Sequence, residues 1–260
     1  IEFVPDFDDG PAAEVAVLLR DTIDSEVRVR VLDAATGTVV RDHLVATSTP
    51  DPPNEDIAAP FPIGMTTVES FGGTASPELA ILMKNPDTEE VRVLVVDADS
   101  GAALGDYVQG TDLFPLGIVG VRDLGRGGGT TAGDVAILVR RASDGDLFAT
   151  VLDSGNGTPF GPIDFDDSLL PGPFDSVPSF GGSSAPELAV TGRQDPSDLV
   201  VSLRDAATGM VINSITVTTT TPPVPLDLAS IDDFADVPAP QLSILFELFD
   251  QPTQVQIFDG

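Results

Sequence analysis

The chain has 260 residues, 42% of them hydrophobic, which is enough for a sizeable core in one large or two ordinary domains. With 42 acidic residues against 12 basic ones and a net charge of −30, it lacks the clustered cations that nucleic acid or an anionic membrane surface would need. Cysteine is absent, which excludes disulfides and thiolate chemistry, and no apolar run approaches the roughly 20 residues of a membrane helix.

One pattern recurs along the chain. The segments Ala13-Glu-Val-Ala-Val17, Pro77-Glu-Leu-Ala-Ile81, Gly133-Asp-Val-Ala-Ile137, Pro186-Glu-Leu-Ala-Val190 and Pro240-Gln-Leu-Ser-Ile244 are copies of it. A second marker follows each copy: Asp33 to Gly37, Asp97 to Gly101, Asp153 to Gly157, Asp205 to Gly209, and Asp259-Gly260. Two markers with one period define a repeat, with units at approximately 1–60, 61–113, 114–170, 171–223 and 224–260.

Within a unit the pattern predicts four antiparallel strands. The first is a short alternating run such as Ile118 to Val121. The second follows the acidic marker, and the third is a run such as Val91 to Val96. Between the third and fourth strands an Asp can bond amides two residues on, and a Gly accepts the positive φ that closes a hairpin. A helix starting at Ser76-Pro77 is rejected because Val135 to Val139 holds the same place with β-branched residues and no cap. The fourth strand is more polar, as in Arg41-Asp-His43 and Gly161-Pro-Ile-Asp164, which suits an outer edge.

The second and third strands are almost continuously apolar, so both faces of each sheet must be covered. Stacking the sheets face to face achieves this. The fold expected is therefore all-β, a single domain forming a five-bladed β-propeller or an open five-blade arc. Ile1 starts directly in a first strand and Gly260 falls just before a fourth, so the last blade is expected to be incomplete. Its open edge, with Thr253, Val255, Ile257 and Phe258, is the expected contact with protein partners, self-association included.

The loop Asp6-Phe-Asp-Asp-Gly-Pro-Ala-Ala-Glu14 resembles the FG-GAP and VCBS repeats of integrin-like β-propellers. That family carries calcium loops, and the resemblance implies Asp6, Asp8, Asp9 and Glu14 as the candidate metal ligands. The other copies depart from the motif. Ser70 to Glu78 and Ser179 to Glu187 keep only the last acid, Asp123 to Asp134 is two residues longer, and the fifth copy ends in Gln241. Calcium takes six to eight oxygens, so these copies are expected to use their acid to accept amides of their own loop.

No catalytic residue and no cofactor other than calcium is expected. His43 is the only histidine, and it aligns with Tyr107 as a rim side chain. Gly125 to Gly129 lacks the Lys-Ser/Thr ending of a phosphate loop. Asp51, Glu55 and Asp56 fall in a Pro-rich linker, and without Trp there is little aromatic platform for sugars. Asn156-Gly-Thr158 matches a glycosylation acceptor, and Thr216 to Thr221 resembles a short O-glycosylated tract. The expected function is a non-catalytic extracellular or cell-surface scaffold or adhesion protein, acting in a homo-polymeric layer or fibre. A calcium-assisted, lectin-like propeller is the first alternative, and a glycan-active enzyme the second.

Overall fold

The computed structural model describes every residue except 6–12, 22–25, 48–49, 52–54, 57–59, 72–76, 123, 125–132, 155–156, 178–179, 181–184, 232–239, 250 and 260. The described residues form five antiparallel sheets in chain order, four of four strands and a last of three. The first sheet runs β1 (Glu2–Val4), β2 (Glu14–Arg20), β3 (Val27–Asp33) and β4 (Val39–Ala46). Two short strands, β5 (Pro50–Asp51) and β6 (Glu55–Asp56), pair with each other where the sequence suggested only a linker.

The second sheet holds β7 (Phe61–Val68), β8 (Glu78–Lys84), β9 (Val91–Asp97) and β10 (Ala103–Gly110). The third holds β11 (Leu113–Val121), β12 (Asp134–Arg141), β13 (Leu147–Leu152) and β14 (Pro159–Asp164). The fourth holds β15 (Leu170–Val177), β16 (Glu187–Arg193), β17 (Asp198–Asp205) and β18 (Val211–Thr218). The fifth holds β19 (Pro223–Ile231), β20 (Gln241–Leu248) and β21 (Gln254–Asp259). Each is a simple meander, as the repeat implied.

The chain divides into two compact units. One comprises Ile1–Ser143 with Leu152–Pro159, the other Asp144–Val151 with Phe160–Gly260. In the first unit a buried cluster joins Val27, Val29 and Val31 of the first sheet to Leu79, Ile81 and Met83 of the second. In the second unit Leu199, Val201 and Leu203 of the fourth sheet meet Leu242, Ile244 and Phe246 of the fifth. Each cluster is built from two sheet faces pressed together, which is how Leu79, Ile81 and Met83 are buried on one side of β8.

The first strand of each later sheet is longer than expected. β7, β11, β15 and β19 run eight or nine residues, because they continue through Pro62, Pro115, Pro171 and Pro225. A β-bulge follows each of these prolines. The strands pair on one side only, so a proline amide can be missing on the open side without losing a ladder bond.

Candidate functional site

The repeated acid opens the second strand of each sheet and faces the Asp of the turn after the third strand. Cα partners are Glu14 with Asp33, Glu78 with Asp97, Glu187 with Asp205, and Gln241 with Asp259. Glu14, Glu78, Asp134, Glu187 and Gln241 are all buried. The Phe71 amide donates to Glu78 Oε2 at 3.0 Å, and the Phe180 amide donates to Glu187 Oε2 at 2.7 Å. Asp134 accepts from Leu124 at 3.1 Å and from Ser154 at 3.0 Å. Burial, reinforced by the negative charge of Asp97, pushes the Glu78 carboxyl up to about 7. In the fifth sheet the neutral Gln241 instead donates from Nε2 to Asp259 Oδ1 at 2.7 Å.

Of the calcium candidates, Glu14 is buried at the start of β2, while Asp6, Asp8 and Asp9 lie outside the described residues, as does Asn156. Among the described residues no three His, Asp or Glu side chains gather in an arrangement that could hold a metal ion.

The turns after the third strands are held by their aspartates. Asp33 Oδ1 accepts the Thr36 amide and hydroxyl, Asp97 does the same for Ser100, and Asp205 for Thr208. Gly37, Gly101, Gly157 and Gly209 have φ of +71°, +72°, +67° and +75°. Three of these glycines lie beneath a side chain from the preceding sheet's outer strand. A Cβ on Gly101 would clash with the His43 ring and on Gly157 with the Tyr107 ring, and on Gly209 it would lie 3.6 Å from Ile163. His43, expected at a rim, thus covers the next turn, with its Nε2 2.8 Å from the Ala98 carbonyl oxygen. Arg41 holds the same turn through the Asp99 carbonyl and carboxylate, at 3.0 and 2.9 Å.

The inner strands carry a feature that sequence reasoning missed. Asp175 on β15 is pushed up to about 6 by burial and then by Asp227 on β19. Neither acid recurs in the repeat; that irregularity was the available signal. At the place of Asp175 the second sheet has Thr66, for both pair with the third residue of the next strand, Ala189 and Ala80. Thr66 Oγ1 accepts the Gly120 amide at 2.9 Å.

At the fifth sheet, β21 pairs with β20 on one side and forms the sheet's other edge. Thr253 precedes it and is exposed, Val255 is 62% exposed, and Ile257 and Phe258 are half-buried, Phe258 against the core of that unit.

No protein-family model matches the chain, and no curated protein matches it. Among solved structures it is similar to hydrazine synthase of Kuenenia stuttgartiensis, with a TM-score of 0.52 at 16% identity over 90% of this chain and 59% of that one. It is also similar to the Dos1 propeller, with a TM-score of 0.49 at 11% identity over 100% of this chain and 61% of that one. A prolyl endopeptidase matches with a TM-score of 0.49 at 12% identity, over 95% of this chain and 31% of that one. The chain spans about three fifths of the length of the first two. At these identities the likeness concerns fold alone. The described residues form five successive antiparallel sheets, the arrangement expected from the repeat.

Proposed function

We propose that this protein is a non-catalytic scaffold that acts through protein contacts, and that the open edge of β21 receives a strand from a partner. The observation that carries this reading is the fifth sheet itself. Among the described residues its third strand, β21, pairs with β20 alone, whereas β3, β9, β13 and β17 each have a neighbour on both sides. Residues 251–258 carry no charge, and Val255 is exposed on that edge. An unpaired row of amides and carbonyls flanked by uncharged side chains is a ready template for strand addition.

The repeated acids support the non-catalytic part. Glu78, Asp134 and Glu187 accept backbone amides, so they hold loops in place. The finer kinship with FG-GAP and VCBS repeats belongs to the same reading. So do an extracellular or cell-surface setting and assembly of copies into a layer or fibre. Hydrogen exchange on dispersed and assembled protein tests it. Exchange in the peptide covering 254–259 is expected to slow on assembly, and Val255→Lys to prevent the slowing. Equal exchange in both states would refute the reading.

A further inference from the structure

The outer strands of the first four sheets differ in how their edges are protected. β4 carries Arg41 and Asp42, and Asp42 also pairs with Arg28 at 3.1 Å and Arg30 at 3.2 Å. β10 carries Asp106, paired with Arg92 at 2.9 Å, and has two register shifts against β9. β14 begins with Pro159, contains Pro162 and ends in Asp164. Charge, bulges and proline are the usual means of keeping an edge from pairing with another chain.

β18 has neither charge nor proline. It reads Val211-Ile-Asn-Ser-Ile-Thr-Val-Thr218, and its single register shift lies at the start of the strand, between Leu203 and Arg204 of β17. It sits in residues 206–226, which hold no charged side chain at all in a chain of net charge −30. We propose that β18 is an interaction edge whose occupant is β18 of a second copy of this chain, paired antiparallel about a two-fold axis through Thr216. This proposal stands apart from the β21 reading, because it concerns a different sheet.

Two observations select a second copy as the occupant. Copies of so acidic a protein repel one another wherever their charged surfaces approach, so an edge-to-edge contact is tolerated only where neither side brings charge. The strand is also complementary to itself. Ile215 and Val217 pair with Val201 and Leu199, and so share the face toward the core of that unit. Ser214, Thr216 and Thr218 pair with Ser202, Val200 and Asp198 on the other face. A register centred on Thr216 keeps both faces aligned. It sets Ile215 against Val217 of the second copy, and pairs hydroxyl with hydroxyl at Thr216 with Thr216 and at Ser214 with Thr218. Matched apolar and Thr pairs are favourable cross-strand neighbours.

The test is the mass of the full chain in solution by light scattering. It is run at low salt and at about 1 M salt, where the screening length falls to about 3 Å. A dimer is expected at high salt. Thr216→Asp sets two carboxylates face to face and is expected to halve the mass. Mixing Thr216→Asp with Thr216→Lys is expected to restore the dimer as a heterodimer. Should Thr216→Asp fail to fold, Thr216→Cys in this cysteine-free chain gives a second readout: oxidation is expected to link two copies. A wild-type monomer under both conditions overturns the proposal, as does a mass that Thr216→Asp leaves unchanged. A contact that Val255→Lys and Thr216→Asp each abolish alone means that β18 meets β21, and this too overturns the symmetric register. Loss of the slowed exchange at 254–259 with the dimer intact removes only the β21 reading.

Discussion

The second sheet and the sheets at the two ends of the chain are built from one repeat, yet they differ in how fully that repeat is covered. β8 is buried at six successive residues from Glu78 to Met83. In β2 only Glu14 and Ala16 are buried, and β20 alternates from Ser243 to Glu247. The sequence follows the difference in β20, where Leu242-Ser-Ile-Leu-Phe-Glu247 places polar residues among apolar ones, but not in β2, whose Val15-Ala-Val-Leu-Leu19 is as apolar as Leu79-Ala-Ile-Leu-Met83. Coverage, more than strand pairing, therefore distinguishes one copy from another, and it should set the cost of matched substitutions.

The largest contrast is expected at the fifth residue of the second strands. Leu82 is fully buried and Leu245 half-buried, though both occupy the same place in the ladder. Leu82→Ala should cost about 3–4 kcal/mol and Leu245→Ala about 1 kcal/mol, read from urea unfolding. Equal costs would show that coverage is not what separates the sheets. Gly101 and Gly37 give the next contrast, because their φ values are +72° and +71° but only Gly101 has a neighbour within 4 Å. Gly37→Ala should lose about 1 kcal/mol from backbone strain alone. Gly101→Ala should lose about 2–3 kcal/mol, since its Cβ meets the His43 ring, and His43→Ala in the same chain should bring the loss back toward the Gly37 value.

Glu78 and Gln241 offer a third comparison, in charge. A carboxyl raised to about 7 from its ordinary value near 4.5 binds its proton more tightly in the folded chain. Its contribution to stability is therefore complete below about 4.5 and is lost as pH rises through 7. Glu78→Gln removes that loss and can repeat the bond that Gln241 makes to Asp259. It should stabilise the protein by about 1–2 kcal/mol at pH 8 and leave it unchanged near pH 4. Gln241→Glu should act in the opposite sense, and melting curves across that range decide both.

The two repeat markers were enough to read the sheets, since continuous apolar runs and Asp-to-Gly turns are local signals. Other features depended on contacts far along the chain. Phe61-Pro-Ile-Gly64 looks like a break, yet β7 passes through it because its open side needs no amide from Pro62. A proline at the same place in four units was the clue. His43 and Tyr107 could be aligned, but that each covers the glycine of the next sheet's turn follows only from the stacking of sheets. The acid shared by Glu78, Asp134 and Glu187 was legible as a loop acceptor, but Gln241, expected to serve in that role, instead donates to Asp259.

Asp175 tests whether an inner strand obeys the same rule as the second sheet. Its counterpart Thr66 satisfies a neighbouring strand with a neutral hydroxyl, whereas Asp175 brings a carboxyl near Asp227 and is raised to about 6. The raised value means that the protonated form suits the fold. Its benefit is full below about 4 and is lost as pH rises through 6. Asp175→Asn should therefore be neutral in acid and stabilising by about 1 kcal/mol at neutral pH, the smallest of these effects because Asp175 retains some solvent contact. Asp227→Asn separates the two causes. Burial comes first, so a carbon-detected titration of Asp175 should shift only part of the way back to the ordinary range. A full return would make Asp227 the dominant influence, and the inner strands would then be set apart from the second sheet by charge instead of coverage.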